Sequence, residues 1–112
     1  MILENPFPLE VRTLYLGWWK CFLCNGNGWG KGGLAIHHIL GRVSASAFNS
    51  SCLCGECHSK MGHSREEHRK IFWKTLQFLF VKEYKPNEED MDFLRKNSEE
   101  LIGEEAKKWL KL

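Results

Sequence analysis

The sequence predicts a small α+β domain stapled by metal, with a helical C-terminal part. Cysteines recur as two Cys-x-x-Cys pairs, Cys21-Phe-Leu-Cys24 and Cys54-Gly-Glu-Cys57. A short apolar run over residues 34–40 reads as a strand. From residue 65 onward apolar residues recur along segments that read as helices. At 112 residues and 43% hydrophobic content the chain allows one modest core, and cores of that size often need a staple.

The elements follow in order. Residues 9–20 (LEVRTLYLGWWK) suit a short helix or a strand, and periodicity does not choose. Residues 25–33 place five glycines in nine positions, so they form a flexible or tightly turned loop. Residues 41–51 mix Gly, Ser, Ala and Asn and read as a second loop. A helix starts near Cys54 and carries His58. Another over 65–83 is apolar on most faces from Ile71 onward, so it is expected to pack on several sides until Pro86 ends it. Asn87 before Glu88, Glu89 and Asp90 is a capped helix start, followed by apolar Met91, Phe93 and Leu94. A last helix over about 98–111 is expected to bury Leu101, Ile102, Trp109 and Leu110. The expected organisation is a metal-stapled core over 1–64 with a helical extension over 65–112 packed on it.

Net charge is +2, unevenly placed. Residues 1–85 carry eleven basic against six acidic side chains, whereas residues 86–112 carry five against eight. The first part suits a polyanion such as nucleic acid, and the second does not. The C-terminal helices are left for core packing, a homodimer contact or a partner protein. The N-terminal residues carry Glu4, two prolines and no long apolar run, unlike a signal peptide. No stretch reaches the ~18 apolar residues of a membrane span. The expectation is a soluble cytoplasmic protein without a membrane partner, its thiols reduced and available to zinc.

Five cysteines do not close a disulfide framework, and their spacing favours metal. Each Cys-x-x-Cys turn directs two thiolates to one side, so the two pairs make a Cys₄ structural zinc site. Cys52 is left over and reads as a small core residue.

Between and beyond the pairs lie His37-His38, Asn49, His58 and His63. Phosphodiester hydrolysis needs a base that takes a proton from water near neutral pH, which imidazole supplies. It also needs a divalent cation against the charge growing on phosphate. Adjacent strand residues point to opposite faces, so one of His37 and His38 is free to bind metal while the other does something else. His58 follows a zinc pair directly, so the knuckle directs it. His68 reads as part of a solvated helix face. Phe72, Trp73, Phe78 and Phe80 read as core, Trp18 and Trp19 as packing residues, and Trp29 beside Lys31 as a nucleic-acid contact.

The ordered set Cys21-x-x-Cys24, His37-His38, Asn49, Leu53-Cys54-x-x-Cys57-His58 and His63 resembles the zinc-containing HNH endonucleases over residues 18–64. The stretch from Asn49 to His58 fits the family's N-x-x-x-L-C-x-x-C-H text. The resemblance implies a ββα-metal, treble-clef-like core that hydrolyses phosphodiester bonds in nucleic acid, with DNA the first expectation. It implies a bacterial or phage-infected cell as the setting. His37 matches the first ligand of the catalytic ion, His38 the general base and His58 the second ligand. Asn49 matches the residue that orients the base through backbone contacts. His63 falls near a third ligand, five residues after His58 where four is commoner. Gly41-Arg42 replaces the family's proline, and only ten residues separate His38 from Asn49. Arg42 and Lys31 are the expected substrate contacts. The catalytic ion is Mg²⁺, Mn²⁺, Ni²⁺ or Zn²⁺. The rival expectation is a non-catalytic zinc module that binds nucleic acid or protein, for which the four cysteines suffice.

Overall fold

The architecture follows from which polar groups find partners across the chain. It is seen in a computed structural model that describes residues 7–41, 44–62 and 64–109, excepting the side chains of Ser98 and residues 104–109. The order is helix α1 (Leu9–Leu14), strand β1 (Leu34–His38), a 3₁₀ turn (Ala47–Asn49) and strand β2 (Ser50–Cys54). Helices α2 (Gly55–Met61), α3 (Arg65–Val81) and α4 (Glu88–Trp109) follow. The two strands form an antiparallel sheet with Leu34 opposite Cys54 and His38 opposite Ser50.

Residues 47–51, expected as loop, are instead the 3₁₀ turn and the start of β2. Ser50 and Ser51 look like loop residues, yet every position of β2 is buried. Each hydroxyl is satisfied locally or across the fold. Tyr15 Oη donates to Ser50 Oγ at 2.7 Å, Ser50 Oγ donates to the Ala47 carbonyl, and Ser51 Oγ donates to the His37 carbonyl. Further contacts cover the strand: Phe22 N donates to the Cys52 carbonyl and Thr75 Oγ1 to the Ser50 carbonyl, both at 2.7 Å. A two-stranded sheet alone is marginal, and these contacts tie it to the N-terminal segment and to α3.

Ser64 caps α3 by accepting from Glu67 N. The helix buries His68, Ile71, Phe72, Thr75, Phe78 and Leu79, a stripe at helical spacing that packs on β2, the 3₁₀ turn and α4. The expected burial on most faces does not hold. Phe80 is 85% exposed, and Trp73 and Val81 also face out. Trp19 is exposed too, while Trp18 packs edge-on against Phe22 and Phe78. Helix α3 stops well before Pro86, because Glu83 adopts a left-handed conformation (φ 56°) and Tyr84 N closes back to the Leu79 carbonyl.

Two helical stretches make up α4, as expected, but they meet at a non-helical Gly103 (φ 82°, ψ 167°) rather than near residue 98. Phe93, Leu94 and Leu101 are buried against the rest of the core. The expected burial of Trp109 and Leu110 lies outside the described side chains. Asn87 and Asp90 cap α4 reciprocally, each side chain accepting from the other's backbone N–H at 2.9 Å. Asp90, fully buried, also accepts from Ser46 Oγ and Tyr84 Oη. One carboxylate thereby pins the loop after β1 to the helical part. Asp90→Ala would strand several buried donors, and is expected to cost about 3 kcal/mol or more, read from denaturant midpoints. A loss under 1 kcal/mol would show that water takes over its bonds. Among the described residues no helix is long and apolar enough to cross a membrane.

Candidate functional site

The cysteine cluster is assembled by two turns, one before and one after the hairpin, that meet at its open end. After α1 the chain turns tightly at 21–26: Cys21 N donates to the Gly26 carbonyl and Asn25 N to the Cys21 carbonyl, with Asn25 left-handed at φ 61°. Backbone N–H groups then point at sulfur, Leu23 N to Cys21 Sγ and Gly26 N to Cys24 Sγ, both at 3.4 Å. In the second turn Cys54 ends β2 and caps α2, its Sγ accepting from Cys57 N at 3.4 Å.

The four sulfurs lie within 4.8 Å of one another, close enough to hold a metal ion. Cys24 Sγ and Cys54 Sγ are 3.9 Å apart, against roughly 3.8 Å for two sulfurs on a tetrahedral zinc with 2.3 Å bonds. Burial works against a Cys21 thiolate, but hydrogen bonds from backbone groups at Cys24, Cys54 and Leu23 outweigh it and bring its value down to about 7. Burial, followed by its sulfur neighbours, pushes Cys57 up. Thiolates this close repel one another, and a cation at their centre removes the repulsion. Cys52 stands apart as a buried core thiol, pushed up to about 12, chiefly by burial.

The glycine loop docks α2 beside the cluster. Gly55 N donates to the Gly33 carbonyl and Glu56 N to the Lys31 carbonyl. A Cβ on Gly28, which has φ +82°, would sit 2.8 Å from the Gly33 carbonyl carbon, so only glycine fits there. Lys31 is exposed near the cysteine cluster, and Trp29 is 89% exposed at the loop's tip.

Strand β1 and helix α2 bring His37 and His58 together. Their rings stack at 3.7 Å between centroids, 12° from parallel. Burial first, then the neighbouring His58 and His38, lowers His37 to about 4, so it is neutral at pH 7 with a lone pair available to a metal. Among the described residues no third histidine, cysteine or carboxylate joins this pair at ligand distance. His63 and Arg42, the expected third ligand and phosphate contact, lie outside the described residues. His38 stacks instead on Phe7, with centroids 4.0 Å apart and planes at 14°.

Asn49 is fully buried and stitches the hairpin connection together. Its Oδ1 accepts from Leu40 N at 3.0 Å, and its Nδ2 donates to the carbonyls of Gly41 and Ser44 at 3.0 and 2.9 Å. Its backbone carbonyl accepts from Ile39 N at 2.8 Å, directly after His38. These bonds set the backbone from which the His38 ring projects.

His38 and His58 line a cavity of about 440 Å³ together with His68, Asn97 and Glu100. His68 was expected on a solvated face, yet it is buried. The signal was present in the sequence, because His68 precedes Ile71, Phe72 and Thr75 at spacings of three, four and seven and so shares their face. Phe7, Asn97 and Glu100 carried no such signal, since long-range folding alone brings them here. Beyond Glu100 a second groove of about 430 Å³ is lined by Arg65, Arg69 and Lys96 with Glu99. Glu100 lines this groove too, and Lys96 is paired with Asp92 at 3.1 Å, so the two arginines of α3 are its remaining positive charges.

The chain matches no family model, no curated protein and no solved structure.

Proposed function

We propose that this protein is a metal-dependent endonuclease of the HNH kind that hydrolyses phosphodiester bonds in nucleic acid, DNA first. The supporting observation is the convergence of His37, His38, His58 and Asn49 on one strand–strand–helix unit, braced by the four-cysteine cluster. Zinc suits the cysteines by donor type and spacing, and its role there is structural. His37 and His58 would hold the catalytic ion by turning their stacked rings so that both in-plane lone pairs meet it, and His37 offers a neutral imidazole.

That ion, when bound, supplies positive charge against the charge developing on phosphate. The protein's own groups do the rest. His38 takes the proton from the attacking water, its ring held flat against Phe7. Asn49 keeps the backbone beside His38 in place through its side-chain bonds to Leu40, Gly41 and Ser44. The clustered cysteines fix the start of α2 and hence the direction of His58.

The test is cleavage of supercoiled plasmid and of single-stranded oligonucleotide by zinc-loaded protein, with Mg²⁺, Mn²⁺, Ni²⁺ and Zn²⁺ added singly after chelation. Cleavage is expected with at least one ion and none in the chelated control. Failure with all four would leave the non-catalytic zinc module, which the cysteines satisfy without any histidine.

A further inference from the structure

His68 enters the cleft from α3, an element outside the motif that carries the nuclease reading. Only 7% of it is exposed, and it lines the same cavity as His38 and His58. Its Nδ1 is enclosed with no hydrogen-bond partner. The other ring nitrogen, Nε2, is the one left to face the cavity. A buried N–H without an acceptor is among the rarest defects in folded proteins, and a bare acceptor is better tolerated. The ring therefore keeps its proton off Nδ1 and on Nε2, presenting an N–H donor to the cavity.

The enclosed, unpartnered Nδ1 is a cost that a good hydrogen bond from Nε2 helps to offset. Asn97, on the facing helix, has its Nδ2 bonded to the Phe93 carbonyl. Glu100 adds a negative charge to one wall, and the adjoining groove adds Arg65 and Arg69 beside Glu99, with Lys96 paired to Asp92 at 3.1 Å. A donor beside the proposed base and ligand, with Arg65 and Arg69 in the adjoining groove, suits an anionic oxygen.

We infer that His68 donates from Nε2 to a non-bridging phosphate oxygen of the nucleic-acid substrate, making α3 part of the substrate cleft. This rests on the nuclease reading and adds a phosphate contact to it. Two substitutions separate donor from volume. His68→Phe fills the space without a nitrogen, whereas His68→Gln places an amide N–H near the position of Nε2.

Binding of a short duplex oligonucleotide to zinc-loaded full-length protein, without added catalytic ion, reads the contact by fluorescence anisotropy. His68→Phe is expected to weaken binding roughly ten- to hundredfold, the scale of one hydrogen bond to a charged group. His68→Gln should stay within about threefold of wild type. In the unmutated protein the His68 imidazole ¹⁵N resonances should shift as oligonucleotide is added, a readout that survives if a variant fails to fold. A folded His68→Phe protein that binds and cleaves like wild type overturns the inference, as does a His68 resonance unmoved at saturation. In both cases cleavage by wild type leaves the nuclease reading standing. No binding of duplex or single-stranded oligonucleotide by wild type removes both.

Discussion

Cys54→Ser is expected to unfold the hairpin and α2 and to abolish metal binding at the cluster. Cys54 is fully buried, ends β2, caps α2 and lies 3.9 Å from Cys24 Sγ. A structural zinc contributes on the order of 10–16 kcal/mol to a small domain at pH 7, whereas whole domains are stable by only about 5–15 kcal/mol. Losing the ion therefore exceeds what the remaining core can offset. Serine cannot substitute, since its hydroxyl does not ionise near neutral pH. The same outcome is expected for Cys21→Ser, and Cys52→Ala is the control, because Cys52 is a buried core thiol that is not one of the four clustered sulfurs. Zinc stoichiometry and the near-ultraviolet circular dichroism melt read the result. A Cys54→Ser protein with one zinc per chain and a cooperative melt would sink the Cys₄ assignment.

His38→Ala is expected to lower cleavage by roughly two to four orders of magnitude, the scale of a lost general base. Zinc content, the melt and catalytic-ion affinity should change little, because His38 stacks on Phe7 rather than on the His37–His58 pair. His37→Ala and His58→Ala should lose the catalytic ion as well as activity, yet keep the zinc. The pH profile adds a second reading. Protonating the imidazole base removes the lone pair that accepts the proton from water, so the rate should fall as the pH is lowered. His37, lowered to about 4, keeps its own lone pair well below neutrality. If His38→Ala cut as fast as wild type with every ion, the base would be elsewhere.

What the sequence determined by itself was local. Cys-x-x-Cys spacing turned each pair of sulfurs to one side, and the capping residues around Asn87 marked where α4 begins. The glycine run announced a tight loop, and the alternation of a strand sent His37 and His38 to different partners, His58 and Phe7. Such features depend on residues a few positions apart, so composition and period reveal them.

What only the tertiary structure decided was how buried polar groups are satisfied across long separations. Ser50 and Ser51 became strand residues because Tyr15, Thr75 and the facing strand meet their hydroxyls and carbonyls. Asp90 became the post that holds the hairpin connection through Ser46, 44 positions away. Apolar content suggested that α3 is buried nearly all round, but β2, the 3₁₀ turn, α4 and the rings of Tyr15, Trp18 and Phe22 do not cover its outer side, which left Phe80 in solvent. His68 reached the cleft because the stripe it shares with Ile71 and Phe72 faces the hairpin. A period tells which residues share a face, and only the packing of distant elements tells what that face meets.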